Sequence, residues 1–143
     1  MNRLAVPGGA STQVRYAVVE LSKLRGHERT QEPLLRKLVD RIRADGFLRR
    51  PVLVEAEHFV ILDGHHRVEA LRLLGCARVP VFLVDYGDTA IGVTTWPGAI
   101  VATVTKEEVV DRGLHGNPFP PKTTRHVVSF TLEEVRVRLD DLR

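Results

Sequence analysis

Apolar residues recur along the chain with two different periods, and the change between the periods predicts a mixture of strands and helices. Short apolar runs between polar or glycine-containing turns predict strands at residues 16–21, 51–54, 59–62, 79–85 and 90–95. Apolar residues at helical spacing predict a helix from Pro33 to Asp45, which Gly46 would end in a left-handed conformation. A second helix is predicted from Val68 to Leu74.

Two threonine and glutamate pairs have the spacing of a helix capping box, in which each side chain bonds the backbone amide of the other residue. Thr105 and Glu108 predict a short helix that runs to about residue 112. Thr131 and Glu134 predict a C-terminal helix, because the apolar residues after Thr131 fit a period of 3.6, namely Leu132, Val135, Leu139 and Leu142.

The first residues of the chain differ from the rest in composition. Residues 1–13 contain Pro7, Gly8 and Gly9 and no periodic apolar face, which predicts a flexible N-terminal tail. The chain has 143 residues, of which 43% are hydrophobic, enough for one core but hardly for two. We therefore expect residues 14–143 to form a single α/β (α+β) domain, with a small mixed sheet and flanking helices.

The sequence argues against membrane insertion and against disulfide chemistry. The longest apolar stretches, such as residues 79–84, are far too short to cross a bilayer, and the N-terminus lacks the layout of a signal peptide. Cys76 is the only cysteine, which excludes an internal disulfide and a cysteine-based zinc cluster. We expect a cytoplasmic protein that does not bind membranes, and the sequence leaves its oligomeric state open.

The charge of the chain favours a small anionic ligand over a long polyanion. The formal net charge is only +3, and acidic residues are scattered among the basic ones. A local basic run keeps nucleic acid open as an alternative at this stage, and it consists of Arg41, Arg43, Arg49 and Arg50.

The segment Asp63-Gly64-His65-His66-Arg67 lies between a predicted strand and a predicted helix. Free backbone amides and the dipole at a helix start stabilise a bound phosphate, and the arginine and histidines add hydrogen-bond donors. A carboxylate here repels phosphate unless Mg²⁺ lies between them or a proton must be removed, and phosphoryl transfer needs both. The alternative is that Asp63 only caps the helix and that the histidines are solvated.

Two further polar segments complement this one. The segment from Lys122 to His126 follows a pair of prolines, which predicts a stiffened loop with cations for a phosphate and hydroxyls for a substrate. Glu28 lies in a polar loop and offers a carboxylate that can accept a proton from an attacking hydroxyl. Each has a plainer interpretation, with Lys122 and Arg125 as a solvated rim, Glu28 as a solvated loop residue and Trp96 as a core anchor.

The chain resembles the free serine kinase branch of the ParB and sulfiredoxin-like superfamily. The matching segments are LSKLRGHE at residues 21–28, ILDGHHRVEALRLLG at 61–75, VPVFLVDY at 79–86 and FPPKTTRH at 119–126. They run in the same order as in those kinases. ParB proteins that partition DNA carry a Gly-Glu-Arg-Arg type segment where this chain has Gly64-His65-His66-Arg67. Sulfiredoxin has a reactive cysteine there, whereas Cys76 lies a helix away.

This resemblance implies a fold, a reaction and a set of site residues. The reaction is phosphorylation of the side-chain hydroxyl of free L-serine, or of a close hydroxyl amino acid, with ADP or ATP as phosphoryl donor and Mg²⁺ as cofactor. The implied catalytic residues are Glu28, as base, and Asp63, which faces Mg²⁺. The implied phosphate-binding residues are Gly64, His65, His66, Arg67 and Lys122. The implied amino-acid-binding residues are Trp96, Thr123, Thr124, Arg125 and His126.

Two other functions fit part of the pattern. One is a ParB-like nucleotide-binding module that contacts DNA, and the other is a non-catalytic regulator that senses an amino acid. A nucleotide switch would not need Glu28, Trp96 and the 123–126 segment, and the sequence shows no evident helix-turn-helix unit after the core. We therefore expect a nucleotide and a small hydroxyl amino acid as ligands, and we do not expect nucleic acid as a partner.

Overall fold

The computed structural model describes residues 2–5 and 11–143, which form strands and helices in mixed order. In chain order the elements are β1 (Asn2–Ala5), β2 (Ser11–Glu20), α1 (Glu32–Asp45), β3 (Phe47–Leu48), β4 (Val52–Glu55), β5 (Ile61–Asp63), α2 (His65–Leu73), β6 (Arg78–Val84), β7 (Ile91–Thr95), α3 (Lys106–His115), β8 (Thr124–Val128) and β9 (Val137–Arg138). Short 3₁₀ helices occupy Leu21–Lys23 and Leu139–Leu142.

A five-stranded mixed sheet is the centre of the fold. Its order is β1-β2-β6-β4-β5, with β4 and β6 parallel and the other neighbours antiparallel. Two smaller antiparallel sheets pair β3 with β9 and β7 with β8. The α+β fold with a small mixed sheet that the sequence predicted is therefore confirmed.

Apolar side chains cover both faces of the central sheet, because neighbouring strand residues point to opposite faces. Val52 and Val54 of β4 join a core cluster with α1 and α2, whereas Leu53 joins a second cluster on the other face. The second cluster includes Val109 of α3 and Ile91 of β7. The sheet thus lies between two cores, and β5 leads directly from it into α2.

The helix ends follow the predicted signals. Gly46 ends α1 with φ +79°, in the left-handed region that favours glycine. At the start of α3, the Glu108 amide donates to Thr105 Oγ1 over 3.1 Å, and the Thr105 amide donates to Glu108 Oε1 over 3.3 Å. The capping box predicted there is confirmed.

The N-terminal segment is more regular than the sequence predicted. β1 pairs with the start of β2 in antiparallel register, with Ala5 opposite Ser11 and Asn2 opposite Val14. Over residues 2–5 and 11–13 the prediction of a loose tail is therefore wrong, because backbone pairing alone is enough to form a strand. The rest of the predicted tail, at residues 1 and 6–10, lies outside the described residues.

The predicted C-terminal helix is wrong. Residues 131–136 form no regular element, and Val137–Arg138 pairs with Phe47–Leu48 as β9. The Val135 amide donates to the Arg49 carbonyl over 3.0 Å. Leu139 and Leu142 are buried in the first core, whereas Leu132 and Val135 pack against the second. The apolar spacing that predicted one helix therefore comes from side chains that belong to two different cores.

No helix within residues 2–5 and 11–143 is both long enough and apolar enough to cross a membrane. Cys76 is buried in the first core, where it packs as a small apolar residue.

Candidate active site

The polar segments singled out in the sequence meet at one cleft of about 460 Å³. Eleven of the twelve predicted site residues line it, namely Glu28, Asp63, Gly64, His65, His66, Arg67, Trp96, Lys122, Thr124, Arg125 and His126. Thr123 is buried beside it and donates its hydroxyl to the Pro120 carbonyl over 2.7 Å. A larger cavity, of about 650 Å³, lies elsewhere and is lined by other residues, among them Glu57, Lys106 and Leu114.

One wall of the cleft is the start of α2, which follows β5 after a single glycine. Gly64 has φ +116°, and a Cβ atom added to it would lie 3.0 Å from Val52 and 3.0 Å from Arg67 Nη2. The amide of Val68 makes the first helical hydrogen bond, to the Gly64 carbonyl over 3.0 Å. The amides of residues 65–67 precede that bond and have no acceptor within the helix, an arrangement that suits an anion.

Replacement of this glycine tests the turn directly. We expect Gly64→Ala to lower the free energy of unfolding by about 1–3 kcal/mol, because the side chain adds both strain and crowding. We also expect weaker nucleotide binding, measured by calorimetry. Gly75→Ala is a matched control, since Gly75 also has a positive φ, of +79°, but a Cβ there meets nothing within 4 Å. Equal losses of nucleotide affinity in both variants would contradict the assignment of the turn.

The guanidinium of Arg67 makes its hydrogen bonds to other groups of the protein. Its Nη1 donates to the carbonyls of Arg50 and Pro51, each over 3.0 Å, and its Nη2 donates to Asp63 Oδ2 over 3.3 Å. The Asp63 side chain is 68% exposed, and Gly64, not Asp63, occupies the N-cap position of α2. Arg67 therefore holds the Asp63 carboxylate open to the cleft, and the interpretation of Asp63 as a helix cap is wrong.

The two histidines of this segment are held by backbone amides. The amide of His27 donates to His65 Nε2 over 3.1 Å, and the amide of Gln31 donates to His66 Nε2 over 3.0 Å. Because a backbone amide can only donate, each Nε2 is unprotonated, and Nδ1 carries the hydrogen of the neutral ring. Both rings thereby tie the loop that carries Glu28 to the start of α2.

The electrostatic surroundings keep both rings neutral near pH 7. Burial, with smaller effects from His27, His126 and His66, holds the pKa of His65 well below its usual value. Burial and then the Lys122 charge lower the pKa of His66, and Glu28 opposes them. The two imidazoles therefore supply neutral N–H donors to the cleft, and positive charge comes from other residues.

Glu28 lines the same cleft and lies against the start of β8. Its Oε1 accepts hydrogen bonds from the amides of Thr123 and Thr124, over 3.2 and 2.7 Å, and lies 2.9 Å from Thr124 Oγ1. The loop is anchored by the Phe119 amide, which donates to the His27 carbonyl over 2.7 Å. Within the described residues, the hydrogen bonds of the Glu28 side chain are all made by Oε1, so Oε2 is the oxygen available to a ligand.

Trp96, Lys122 and Arg125 form the rim of the cleft. The Arg125 guanidinium carbon lies 4.9 Å and Lys122 Nζ lies 5.6 Å from the centre of the Trp96 ring. Lys122 has φ +61°, a strained conformation for a residue with a side chain. Trp96 is 37% exposed, so the interpretation of this residue as a core anchor is wrong.

The predicted loop from Lys122 to His126 is partly a strand, since β8 begins at Thr124 and pairs with β7. Strand alternation buries Thr124 and exposes Arg125. His126 Nε2 lies 2.7 Å from the Tyr86 hydroxyl. Burial, with smaller effects from nearby charges, lowers the pKa of His126 to about 3, so this ring is neutral as well.

His27 was not singled out in the sequence as a site residue. It is fully buried, and its ring nitrogens lie 2.7 Å from the Ile61 carbonyl and 2.7 Å from Thr124 Oγ1. A single histidine in a polar loop has no local signal that separates it from a solvated one, and only the fold brings Ile61 and Thr124 to it.

The residues present fit a Mg²⁺ ion that arrives with a nucleotide. Among the described residues, no group of three or more His, Cys, Asp or Glu side chains is arranged to hold a metal. Mg²⁺ often binds proteins through one or two carboxylates together with substrate phosphates. Asp63, an exposed carboxylate beside the start of α2, has the chemistry of such a ligand.

The ParB N-terminal domain family matches residues 3–94, which is more than half of the chain. This chain belongs to that family. Among curated proteins, it is 41% identical over 119 residues to the ATP-dependent L-serine kinase SbnI of Staphylococcus aureus. The matched residues cover 80% of this chain and 45% of that protein. It is 31% identical over 104 residues to the ADP-dependent L-serine kinase SerK of Thermococcus kodakarensis. That match covers 70% of this chain and 42% of the relative.

A solved structure similar to this ParB-family chain is a free serine kinase in complex with AMP. The TM-score is 0.84 at 19% identity, with 98% of this chain and 96% of the other covered. This likeness confirms the fold. The chain spans 42–45% of the length of the four L-serine kinases it matches by sequence.

Proposed function

We propose that this chain is a free L-serine kinase of the cytoplasm, which transfers the terminal phosphoryl group of ADP or ATP to the serine side chain. The observation that carries the proposal is the cleft, in which the Glu28 carboxylate and the helix start at Gly64 line the same space. Sequence similarity to ATP- and ADP-dependent L-serine kinases supports it.

Glu28 would accept the proton of the substrate hydroxyl. As the serine oxygen forms its bond to the terminal phosphorus, the bond from phosphorus to the nucleotide breaks and its electrons stay on the nucleotide oxygen. The hydroxyl proton goes to Glu28 Oε2, because Oε1 is occupied by two amides. Positioning and electrostatics supply most of the rate in such a transfer.

Charge on the transferred group would be balanced from both walls of the cleft. The amides of residues 65–67 would face the phosphates from the helix start, and Lys122 and Arg125 would add charge from the rim. When bound with the nucleotide near Asp63, Mg²⁺ supplies further charge neutralisation. Trp96 stiffens the rim by its contacts with both cations.

The nucleoside part of the phosphoryl donor has room on the side of Arg67. A second cavity, of about 410 Å³, shares Leu38 and Arg67 with the cleft and is also lined by Phe47 and Arg50. Apolar and guanidinium surfaces suit a heteroaromatic base. We therefore propose that the nucleotide binds with its phosphates at Gly64 and its base near Phe47.

A panel of acceptors tests the proposed function. Purified protein is incubated with Mg²⁺, ATP or ADP, and L-serine, L-threonine, L-homoserine or L-alanine, and the products are identified by mass spectrometry. We expect O-phosphoserine with at least one nucleotide and no product with L-alanine, which lacks a hydroxyl. Nucleotide binding without a phosphorylated amino acid would instead support the non-catalytic regulator.

Lys122 offers a test that separates function from stability. We expect Lys122→Gly to weaken nucleotide binding roughly tenfold, the size of one lost charge-assisted contact. Its free energy of unfolding should stay within about 1 kcal/mol of the parent value, because glycine relieves the positive φ. Calorimetry and urea unfolding measure both quantities. Lys37→Ala, on the exposed face of α1, is the control and should change neither. Unchanged binding in Lys122→Gly would remove Lys122 from the phosphate site.

A further inference from the structure

A row of three side chains runs from the cleft into the interior behind Glu28. Thr124 Oγ1 lies 2.9 Å from Glu28 Oε1 and 2.7 Å from His27 Nε2. His27 Nδ1 continues the row to the Ile61 carbonyl, over 2.7 Å. His27 is fully buried and Thr124 nearly so, so water does not compete for these contacts.

The ends of the row fix where hydrogens lie. The Ile61 carbonyl can only accept, so His27 Nδ1 carries a hydrogen and donates it. Burial lowers the pKa of His27 to about 4, although the bond to Ile61 opposes this shift, so the ring is neutral near pH 7. A neutral ring with a hydrogen on Nδ1 has a bare Nε2, which therefore needs a donor from Thr124.

The Thr124 hydroxyl has one hydrogen and two neighbours that can accept it. When Glu28 is a carboxylate, the hydroxyl donates to one of Glu28 Oε1 and His27 Nε2 and leaves the other without that bond. The charged oxygen is the stronger acceptor. The buried His27 Nε2 is then left unsatisfied, which is costly in a dry interior.

Uptake of one proton by Glu28 removes this conflict. A protonated Glu28 no longer competes as a charged acceptor, and the Thr124 hydroxyl turns to His27 Nε2. The two amides of Thr123 and Thr124 still hold Oε1 in place. The hydrogen bond donated by Thr124 therefore moves from Glu28 Oε1 to the buried His27 Nε2 at the moment when Glu28 receives the proton of an attacking hydroxyl.

We propose that His27 is a positioning residue that assists Glu28 by offering the Thr124 hydroxyl an alternative acceptor once Glu28 is protonated. The role of His27 in turnover rests on the proposed function, but the row of three side chains does not. In the step, the serine O–P bond forms, the P–O bond to the nucleotide breaks, and the hydroxyl proton moves to Glu28. Glu28 returns the proton to water after the product leaves, and Thr124 turns back.

The groups around the row do not offer another source of this proton. The His65 and His126 rings lie with their centres 4.6 and 5.6 Å from the His27 ring. Both are held neutral by burial. His66 lies within electrostatic range of Glu28 and Lys122, and within the described residues the side-chain contacts of Thr124 Oγ1 go to Glu28 and His27.

Nitrogen NMR of histidine-labelled protein tests the row without any need for activity. Glu28→Gln replaces the carboxylate by a neutral group of the same shape and so imitates the protonated state. We expect a His27 ring with the hydrogen on Nδ1 in both proteins, and an Nε2 resonance that moves to lower frequency in Glu28→Gln as it gains a hydrogen bond. An unchanged Nε2 resonance, or a hydrogen on Nε2, would overturn the inference.

Kinetics test the role of the row in turnover. Asparagine can keep the donor to Ile61 but has no atom at the position of Nε2, whereas glutamine places an amide oxygen near that position. We expect His27→Asn to lower kcat roughly three- to tenfold, the size of one hydrogen bond, with little change in KM for serine or nucleotide. His27→Gln should recover much of this loss.

A double variant separates this role from a merely structural one. In the Glu28→Gln background no proton is taken up, so adding His27→Asn should change kcat by less than about twofold. A further loss as large as in the parent background, or a change confined to KM, would overturn the role in turnover. A parent protein that phosphorylates no amino acid would overturn the proposed function and with it this role, while the NMR comparison would still decide whether the row exists.

Discussion

Glu28→Gln is expected to lower kcat by about 10²- to 10⁴-fold, the usual contribution of a positioned general base. Glutamine keeps the size of the side chain and an oxygen that can accept the amides of Thr123 and Thr124. It removes the charge that accepts the hydroxyl proton. Nucleotide affinity should change little, because the helix start and the Lys122 rim remain.

Initial rates of O-phosphoserine formation and calorimetric titration with nucleotide measure the two effects of Glu28→Gln. Glu57→Gln is the control, since the Glu57 side chain is 83% exposed and lies outside the cleft. A Glu28→Gln protein with kcat within a few-fold of the parent would show that Glu28 is not the base. Asp63 would then be the remaining predicted catalytic carboxylate.

Arg67→Ala is expected to lower the free energy of unfolding by about 1.5–3 kcal/mol, the range for hydrogen bonds made by a charged group. The variant loses both contacts of Nη1, to the carbonyls of Arg50 and Pro51. It also leaves the Asp63 carboxylate uncovered. Nucleotide affinity should therefore fall roughly tenfold or more, since the phosphates meet an unbalanced negative charge.

Two comparisons show whether geometry or charge explains the Arg67→Ala effect. Arg67→Lys keeps the charge but lacks the planar fork, so it should recover binding more fully than stability. Arg36→Ala removes an arginine that is 78% exposed on α1 and should alter unfolding by no more than about 0.5 kcal/mol. If Arg67→Ala and the parent protein were half unfolded at the same urea concentration, the structural role of Arg67 would be contradicted.

The elements with strong local signals were predictable from the sequence. α1 has a proline near its first turn and a left-handed Gly46 at its end, and α3 has a reciprocal capping box. The parallel pairing of β4 and β6 was not predictable, because partner choice is set by packing across the whole sheet. The pairing of β1 with β2 likewise depends on backbone contacts that composition does not indicate.

The C-terminal segment shows how tertiary contacts override a pattern. Leu132, Val135, Leu139 and Leu142 have helical spacing, yet they reach two cores on opposite sides of the sheet. Pairing of β9 with β3 satisfies the backbone there without a helix. A period of 3.6 over a few residues is therefore weak evidence when an extended segment can place the same side chains in separate cores.

The candidate site was largely predictable because its chemistry lies in three short segments. Asp63 stands out as a carboxylate beside a helix start, and Glu28 as one within a polar loop. Both line the same cleft. The inward hydrogen bonds of Arg67 and the contacts of His27 were not predictable, since both depend on partners far away in sequence. Such partners become visible only when the fold brings them together.

The central claim is phosphoryl transfer to the hydroxyl of free serine, and phosphorus NMR observes that transfer directly. Purified protein is mixed with Mg²⁺ and L-serine, with ATP in one sample and ADP in another. We expect the terminal phosphate signal of at least one nucleotide to fall while the phosphomonoester signal of O-phosphoserine rises, and no such signal when L-alanine replaces L-serine. A bound nucleotide that yields no O-phosphoserine signal in either sample, even where inorganic phosphate or AMP appears, would contradict the account.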